Sequence, residues 1–186
     1  MKKTSDEKPV DELLFENEWL SVYMKDGWYV YAHESRCEQG ELVAVLPFVL
    51  DRYGSVEKLL GRYEECPAHG DGMALCSITG GVDIGSNPVD AAIQELWEEG
   101  GFRAESTDLI DLGTIRPIPS SDATVYLYGI DVTEDEHLWR GDSIGDGTKG
   151  EEGAYCDWVN VDEAVACKSS NMIAMVARLA LYIEEL

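Results

Sequence analysis

Gly80-Gly81-Val82-Asp83-Ile84-Gly85-Ser86-Asn87-Pro88, running through Val89-Asp90-Ala91-Ala92-Ile93-Gln94-Glu95-Leu96-Trp97-Glu98-Glu99 to Gly100-Gly101-Phe102, decides how the chain is read. It has the form of a glycine loop feeding a short helix loaded with carboxylates. Asn87 or Ser86 caps the helix, Pro88 suits its first turn and Gly100-Gly101 end it. Val89, Ala92, Ile93 and Leu96 form one apolar stripe. At about 3.6 residues per turn, Glu95 and Glu99 fall one turn apart on a neighbouring face, with Glu98 beside them. Three like charges on one short helix repel each other, which costs stability unless a cation sits among them.

Composition narrows the classes of function. A chain of 186 residues is long enough for one well-buried domain with a small N-terminal extension, and 45% hydrophobic with 9% aromatic content is that of a globular protein. No apolar run approaches the roughly 20 residues of a membrane span. Met1-Lys2-Lys3-Thr4-Ser5-Asp6 lacks the apolar core of a signal peptide, so a cytoplasmic location is expected. The formal net charge of -23 argues against binding the backbone of DNA or RNA. An anionic small molecule would be repelled as well unless metal ions offset the acids locally. Cys37, Cys66, Cys76, Cys156 and Cys167 are odd in number and lack paired short spacing, so free thiols fit better than a disulfide framework. Cys66, His69 and Cys76 share metal-ligand chemistry, but no fourth zinc ligand is evident in the sequence.

Three segments follow along the chain. Residues 1–10 are polar and charged and read as a disordered tail. Residues 11–35 read as an N-terminal hairpin extension, two strands joined at Lys25-Asp26-Gly27. Residues 36–186 read as the main domain. Within it, Leu42 to Leu50 is a continuous apolar run of strand length, Val56 to Leu60 leads into another strand, and Leu75 to Ile78 delivers the chain to the glycine loop. Leu109 to Leu112, Thr124 to Val132 and Ala154 to Val161 read as strands. Glu134 to Gly153 is a long loop of the kind that often carries function. Asn171 to Leu186 closes the chain as an apolar helix. Mixed strands with one helix in the middle and one at the end imply a layered α/β architecture.

The order of residues from Gly80 resembles the Nudix box. That family pattern is Gly, five residues, Glu, seven residues, Arg-Glu, an aliphatic, any residue, Glu-Glu, any residue, Gly and an aliphatic. The spacing fits without a gap through Glu95, Leu96, Glu98, Glu99, Gly101 and Phe102. Ser86 stands where the pattern has its first Glu, and Gln94 where it has Arg. The resemblance implies an α/β/α sandwich around a mixed β-sheet. It also implies Mg2+, with Mn2+ as a substitute, held by Glu95, Glu98 and Glu99 and by a backbone carbonyl at Thr79 or Gly80.

Thr79-Gly80-Gly81-Val82-Asp83-Ile84-Gly85 further resembles the ADP-ribose pyrophosphatase branch, and Leu46-Pro47, Arg62-Tyr63-Glu64 and Trp158 to Ala164 are similar to elements around that branch's core. The resemblance implies hydrolysis of the pyrophosphate bond in ADP-ribose or a related compound, giving AMP and a sugar phosphate. The branch often takes its general base from a loop glutamate after the box, which points to Glu151 or Glu152; both read equally as solvated loop acids. Arg62 and Arg116 are candidates to fork onto a diphosphate, Gly80 and Gly81 to lie against the substrate, and Trp28, with Trp19 and Tyr29, to stack an adenine. Aromatic strand residues serve as core or dimer contacts too, and the branch commonly uses its N-terminal strands to form a homodimer. Because Ser86 and Gln94 depart from the pattern, a noncatalytic module that binds ADP-ribose or NAD is a second reading. A nucleoside triphosphate pyrophosphohydrolase is a third.

Overall fold

The computed structural model of the protein describes residues 11–68, 70, 72–135 and 153–185. The apolar run from Leu42 lies in strand β4 (Cys37–Leu50), and its lack of alternation has a direct cause: both faces of the strand are covered. Val43, Val45 and Val49 point to one side, where Ala91, Ala92 and Leu96 of helix α1 (Pro88–Glu98) close the core. Ala44, Leu46 and Phe48 point to the other, against Met172, Met175, Val176 and Leu179 of helix α3 (Ser170–Glu184). The result is an α/β/α sandwich with a separate core on each face of one sheet.

Among the described residues that sheet has seven strands. Its path runs β10 (Tyr155–Val159), β5 (Val56–Glu65), β4, β9 (Thr124–Asp131), β8 (Ile110–Ile115), with β6 (Met73–Cys76) paired to β5 and β7 (Ile78–Asp83) paired to β4. Only β4 and β9 run parallel; the other pairs are antiparallel, so the sheet is mixed. With 14 residues, β4 is long enough to hold two strands in succession, β7 along Cys37–Val45 and β5 along Phe48–Leu50. This register sets the start of α1 beside the middle of the sheet.

Three local readings are corrected. Gly80 and Gly81 are not in a loop: they pair with Val43 and Leu42 inside β7, and the turn begins only after Asp83, with Gly85 at φ 86° and the Ser86 N–H donating to the Asp83 carbonyl at 2.9 Å. The last strand stops at Val159, because Asn160 and Glu163 form a reciprocal capping box that starts helix α2 (Val161–Ala166). The extension is a three-stranded antiparallel sheet, β1 (Glu12–Glu16), β2 (Ser21–Lys25) and β3 (Tyr29–His33), and not a two-stranded hairpin. The turn between β2 and β3 is where the sequence placed it, with Asp26 and Gly27 at φ 53° and 75°, the left-handed pair that a tight hairpin needs. Main-chain bonds from Ala32 to Ser120 and from Asp122 to Ala32 tie this small sheet to the segment before β9. The 1–10 tail lies outside the described residues. No helix of the described chain is long and apolar enough to cross a membrane.

Because β4 contributes buried residues to both cores, truncation there is costly. Leu46→Ala, at a fully buried position, is expected to lower the unfolding free energy by about 2–5 kcal/mol. Ile84→Ala, at a position 75% exposed, should change it by less than about 0.5 kcal/mol. Urea denaturation of both variants measures the contrast.

Candidate active site

Helix α1 is fixed at both ends. The Asn87 side chain accepts from the Val89 and Asp90 N–H groups, each at 3.1 Å, and Pro88 occupies the first turn. At the far end Gly101, at φ 74°, turns the chain out, and the Gly101 and Phe102 N–H groups close onto the Trp97 and Leu96 carbonyls at 3.3 Å. With Ala91, Ala92 and Leu96 buried against the sheet, the neighbouring face carrying Glu95 and Glu99 comes to lie along β7.

Gly80 matters for space. A Cβ there would collide with the Glu95 carboxylate, and one on Gly81 would press into the Cys37 sulfur. Glu99 is buried more deeply, only 5% exposed. One of its oxygens receives the Thr79 N–H at 3.4 Å, and the other meets the Arg62 Nη2 at 3.0 Å. Arg62 comes from β5, is 2% exposed, and also sets its Nε against Glu64 at 3.2 Å. In sequence terms Arg62 is a candidate for a diphosphate; the structure turns its guanidinium inward, onto the carboxylate of Glu99. Opposite Arg62 on β10 stands Cys156, whose thiol donates to the Glu99 carbonyl at 3.3 Å. Burial pushes that thiol up to about 12, against the pull of Arg62 and with a further push from Glu99 and Glu64.

Glu98 is on the outer side, where Gln94 donates to it at 3.2 Å. Glu95, Glu98, Gln94, Ser86 and Asp83 line a polar cleft of about 280 Å3, together with Arg36. Both positions that depart from the family pattern therefore face the same cleft as the acids. Arg36 was missed by sequence reasoning. It precedes the buried Cys37 at the start of β4 and stands over the Trp19 ring at 5.0 Å; nothing local in the sequence marks it, since the cleft brings it to the box only through the β4–β7 pairing.

Other expected residues lie elsewhere. Trp28 is 75% exposed at the β2–β3 turn, edge-on to Tyr29, and does not line the cleft. Tyr29 donates its hydroxyl to the Pro119 carbonyl. Arg116 lines a separate depression with Ile118, Pro119 and Asp122. Glu151 and Glu152 lie outside the described residues.

The donor set suits a hard divalent cation. Carboxylates of Glu95 and Glu99 flank the Thr79–Gly80 backbone, with Glu98 next along the helix, and all of these offer oxygen. The room that Gly80 leaves above its Cα is occupied by a carboxylate where a side chain would otherwise be.

A NUDIX domain model matches residues 42–179. No curated protein matches the chain. A solved structure described as "Crystal structure of ADP compounds hydrolase" superposes with a TM-score of 0.64 over 97% of this chain and 98% of that one, at 17% identity, a likeness of fold.

The buried pair predicts a non-additive double mutant. Arg62→Met takes the cation from the buried Glu99, an expected loss of about 3–5 kcal/mol, and Glu99→Leu, which leaves Arg62 its contact with Glu64, is expected to cost less. The two together should cost clearly less than their sum, as read from denaturant midpoints of the four proteins.

Proposed function

The chain belongs to the NUDIX domain family, and from that premise we propose that it hydrolyses the pyrophosphate bond of a nucleoside diphosphate joined to a second group, ADP-ribose or a close relative being the first choice. The observation that carries this reading is the cleft lined by Glu95 and Glu98 against β7, with the room for Glu95 left by Gly80 and the buried Glu99 held by Arg62 one helical turn on. Glu95, Glu98 and Glu99, with the Thr79 or Gly80 carbonyl, are the groups that would hold Mg2+ or Mn2+. Such a metal supplies charge neutralisation on the bridging oxygen and a more acidic bound water.

The chain's own residues have distinct tasks in this proposal. Arg62 keeps Glu99 ionised and pointed along β7, since a carboxylate this buried needs a cation beside it. Gln94 orients Glu98 by a hydrogen bond without adding charge. Arg36 is exposed and stands at the cleft, where a guanidinium can fork onto phosphate oxygens, and Trp19 beneath it offers a ring for a base. Glu151 or Glu152 takes the proton from the attacking water. Products are AMP and a sugar phosphate.

We also assign the N-terminal sheet to self-association. Leu13, Leu14, Phe15, Trp19, Trp28 and Val30 expose large apolar side chains on 11–35, more than a small isolated sheet leaves to water without a partner. A homodimer is expected by light scattering. Leu14→Glu with Phe15→Glu should give a monomer, and an unchanged dimer would place the interface elsewhere.

Product analysis with ADP-ribose, NAD, diadenosine polyphosphates and nucleoside triphosphates, with Mg2+ or Mn2+ and with chelator, tests the activity. Metal-dependent release of AMP from ADP-ribose is expected. Glu99→Gln should lower kcat by at least about 100-fold, the scale of losing one preorganised charge, and Arg36→Ala should raise KM about tenfold, roughly 1.4 kcal/mol of binding. Binding of ADP-ribose without turnover would make Ser86 and Gln94 marks of a recognition module, and release of pyrophosphate from a triphosphate would move the enzyme to another substrate class.

A further inference from the structure

Beside the cleft, on the same β5 strand, lies a second group of ligating side chains with different chemistry. Arg62 and Glu64 share one face of β5, and Cys76 of β6 stands opposite Arg62 in the register. Cys66 follows the end of β5, where the chain folds back: the Gly70 N–H donates to the Cys66 carbonyl at 3.2 Å and the Cys66 N–H to the Gly72 carbonyl at 3.4 Å. This brings the Cys66 and Cys76 sulfurs and a Glu64 oxygen to within 4.8 Å of one another, all three side chains half-buried.

From this geometry we propose that Glu64, Cys66 and Cys76 form a binding site for Zn2+, separate from the oxygen-only site of the box. Sulfurs about 2.3 Å from a tetrahedral zinc stand roughly 3.8 Å apart. The two sulfurs, within 4.8 Å of each other, therefore need to approach by no more than about 1 Å. Two thiolates select zinc over Mg2+ and Mn2+, which prefer the carboxylates of α1. Arg62 already holds Glu64 through its Nε at 3.2 Å, the outer partner that orients a ligating carboxylate and offsets the excess negative charge of the site. Three protein ligands leave the fourth position to water. Sequence spacing alone suggested Cys66, His69 and Cys76; the structure supplies Glu64, which spacing did not single out, and His69 lies outside the described residues. The bound ion clamps the connection between β5 and β6, and thiol protons leave as it binds.

The test uses the whole chain, purified under reducing conditions without chelator. Metal analysis should find zinc equimolar with protein, and titration of the stripped protein with Zn2+ against a chromophoric chelator, in excess Mg2+, should show tight binding. Co2+ in place of Zn2+ should give a thiolate-to-cobalt charge-transfer band. Cys66→Ser and Cys76→Ser should abolish the band, Glu64→Gln should weaken Zn2+ binding at least tenfold, and Cys167→Ser and Glu95→Gln should leave it intact. Absence of zinc and of the band in the reduced wild-type protein overturns the proposal, as does retention of zinc by the double Cys66→Ser, Cys76→Ser variant. A Cys66–Cys76 disulfide forming in air, with no metal bound after reduction, overturns it too. None of these readouts depends on hydrolytic activity, so failure here and failure of the pyrophosphatase reading are told apart.

Discussion

A carboxylate that is 95% withdrawn from water persists as a charge only beside a cation, and the pairing of Glu99 with Arg62 is the constraint around which this sheet and helix are arranged. Local preferences run the other way. Glu98 and Glu99 sit at the end of α1, where the helix dipole favours cations, and the last turn holds no basic residue. Glu95 adds a third acid one turn earlier. A helix designed for stability alone would not carry this set, and departures from local rules of this kind gather at functional sites. What makes the arrangement tolerable comes from outside the helix: the Arg62 guanidinium from β5, the Thr79 N–H from β7 and the absence of a side chain on Gly80.

The same constraint explains the strand order. Arg62 reaches Glu99 because β5 and β7 are both antiparallel neighbours of β4, one after the other along its length. That requires a 14-residue central strand buried on both faces, and the apolar run Leu42–Leu50 is the sequence trace of it. Cores on the two faces then fix α1 on one side and α3 on the other. Position of the acids is thus a product of packing: apolar residues of α1 choose the face, and the acids follow by helical periodicity.

Features set by neighbours in the chain were legible in the sequence. Both ends of α1, the Asp26-Gly27 turn, the closing helix and the two-sided strand are each written in residues a few positions apart. Features set by partners far along the chain were not. Strand β1 is exposed along its whole length, so it shows no burial pattern to read. Gly80 and Gly81 argue for a loop by propensity, yet β4 pairs with them and the Glu95 carboxylate needs the space. Helix α2 has only six residues, announced by nothing but its capping box. Arg62 turns onto Glu99, and Arg36 comes to line the cleft, for the same reason: guanidinium chemistry is visible in sequence, whereas the direction in which a strand residue points depends on register.

The two departures from the box take on a different weight in this light. Gln94 stands on the exposed side of α1 and reaches Glu98, so replacing arginine there removes charge from the rim of the cleft while keeping a hydrogen bond. The cation that Glu99 requires arrives from the opposite side, through the sheet. Ser86, at the cleft's edge, exchanges a carboxylate for a hydroxyl in a chain whose net charge of -23 already repels anions. Both changes lower the charge density of the rim without touching the buried pair. A site altered in this way keeps the acids that face β7 and loses charged groups at its mouth.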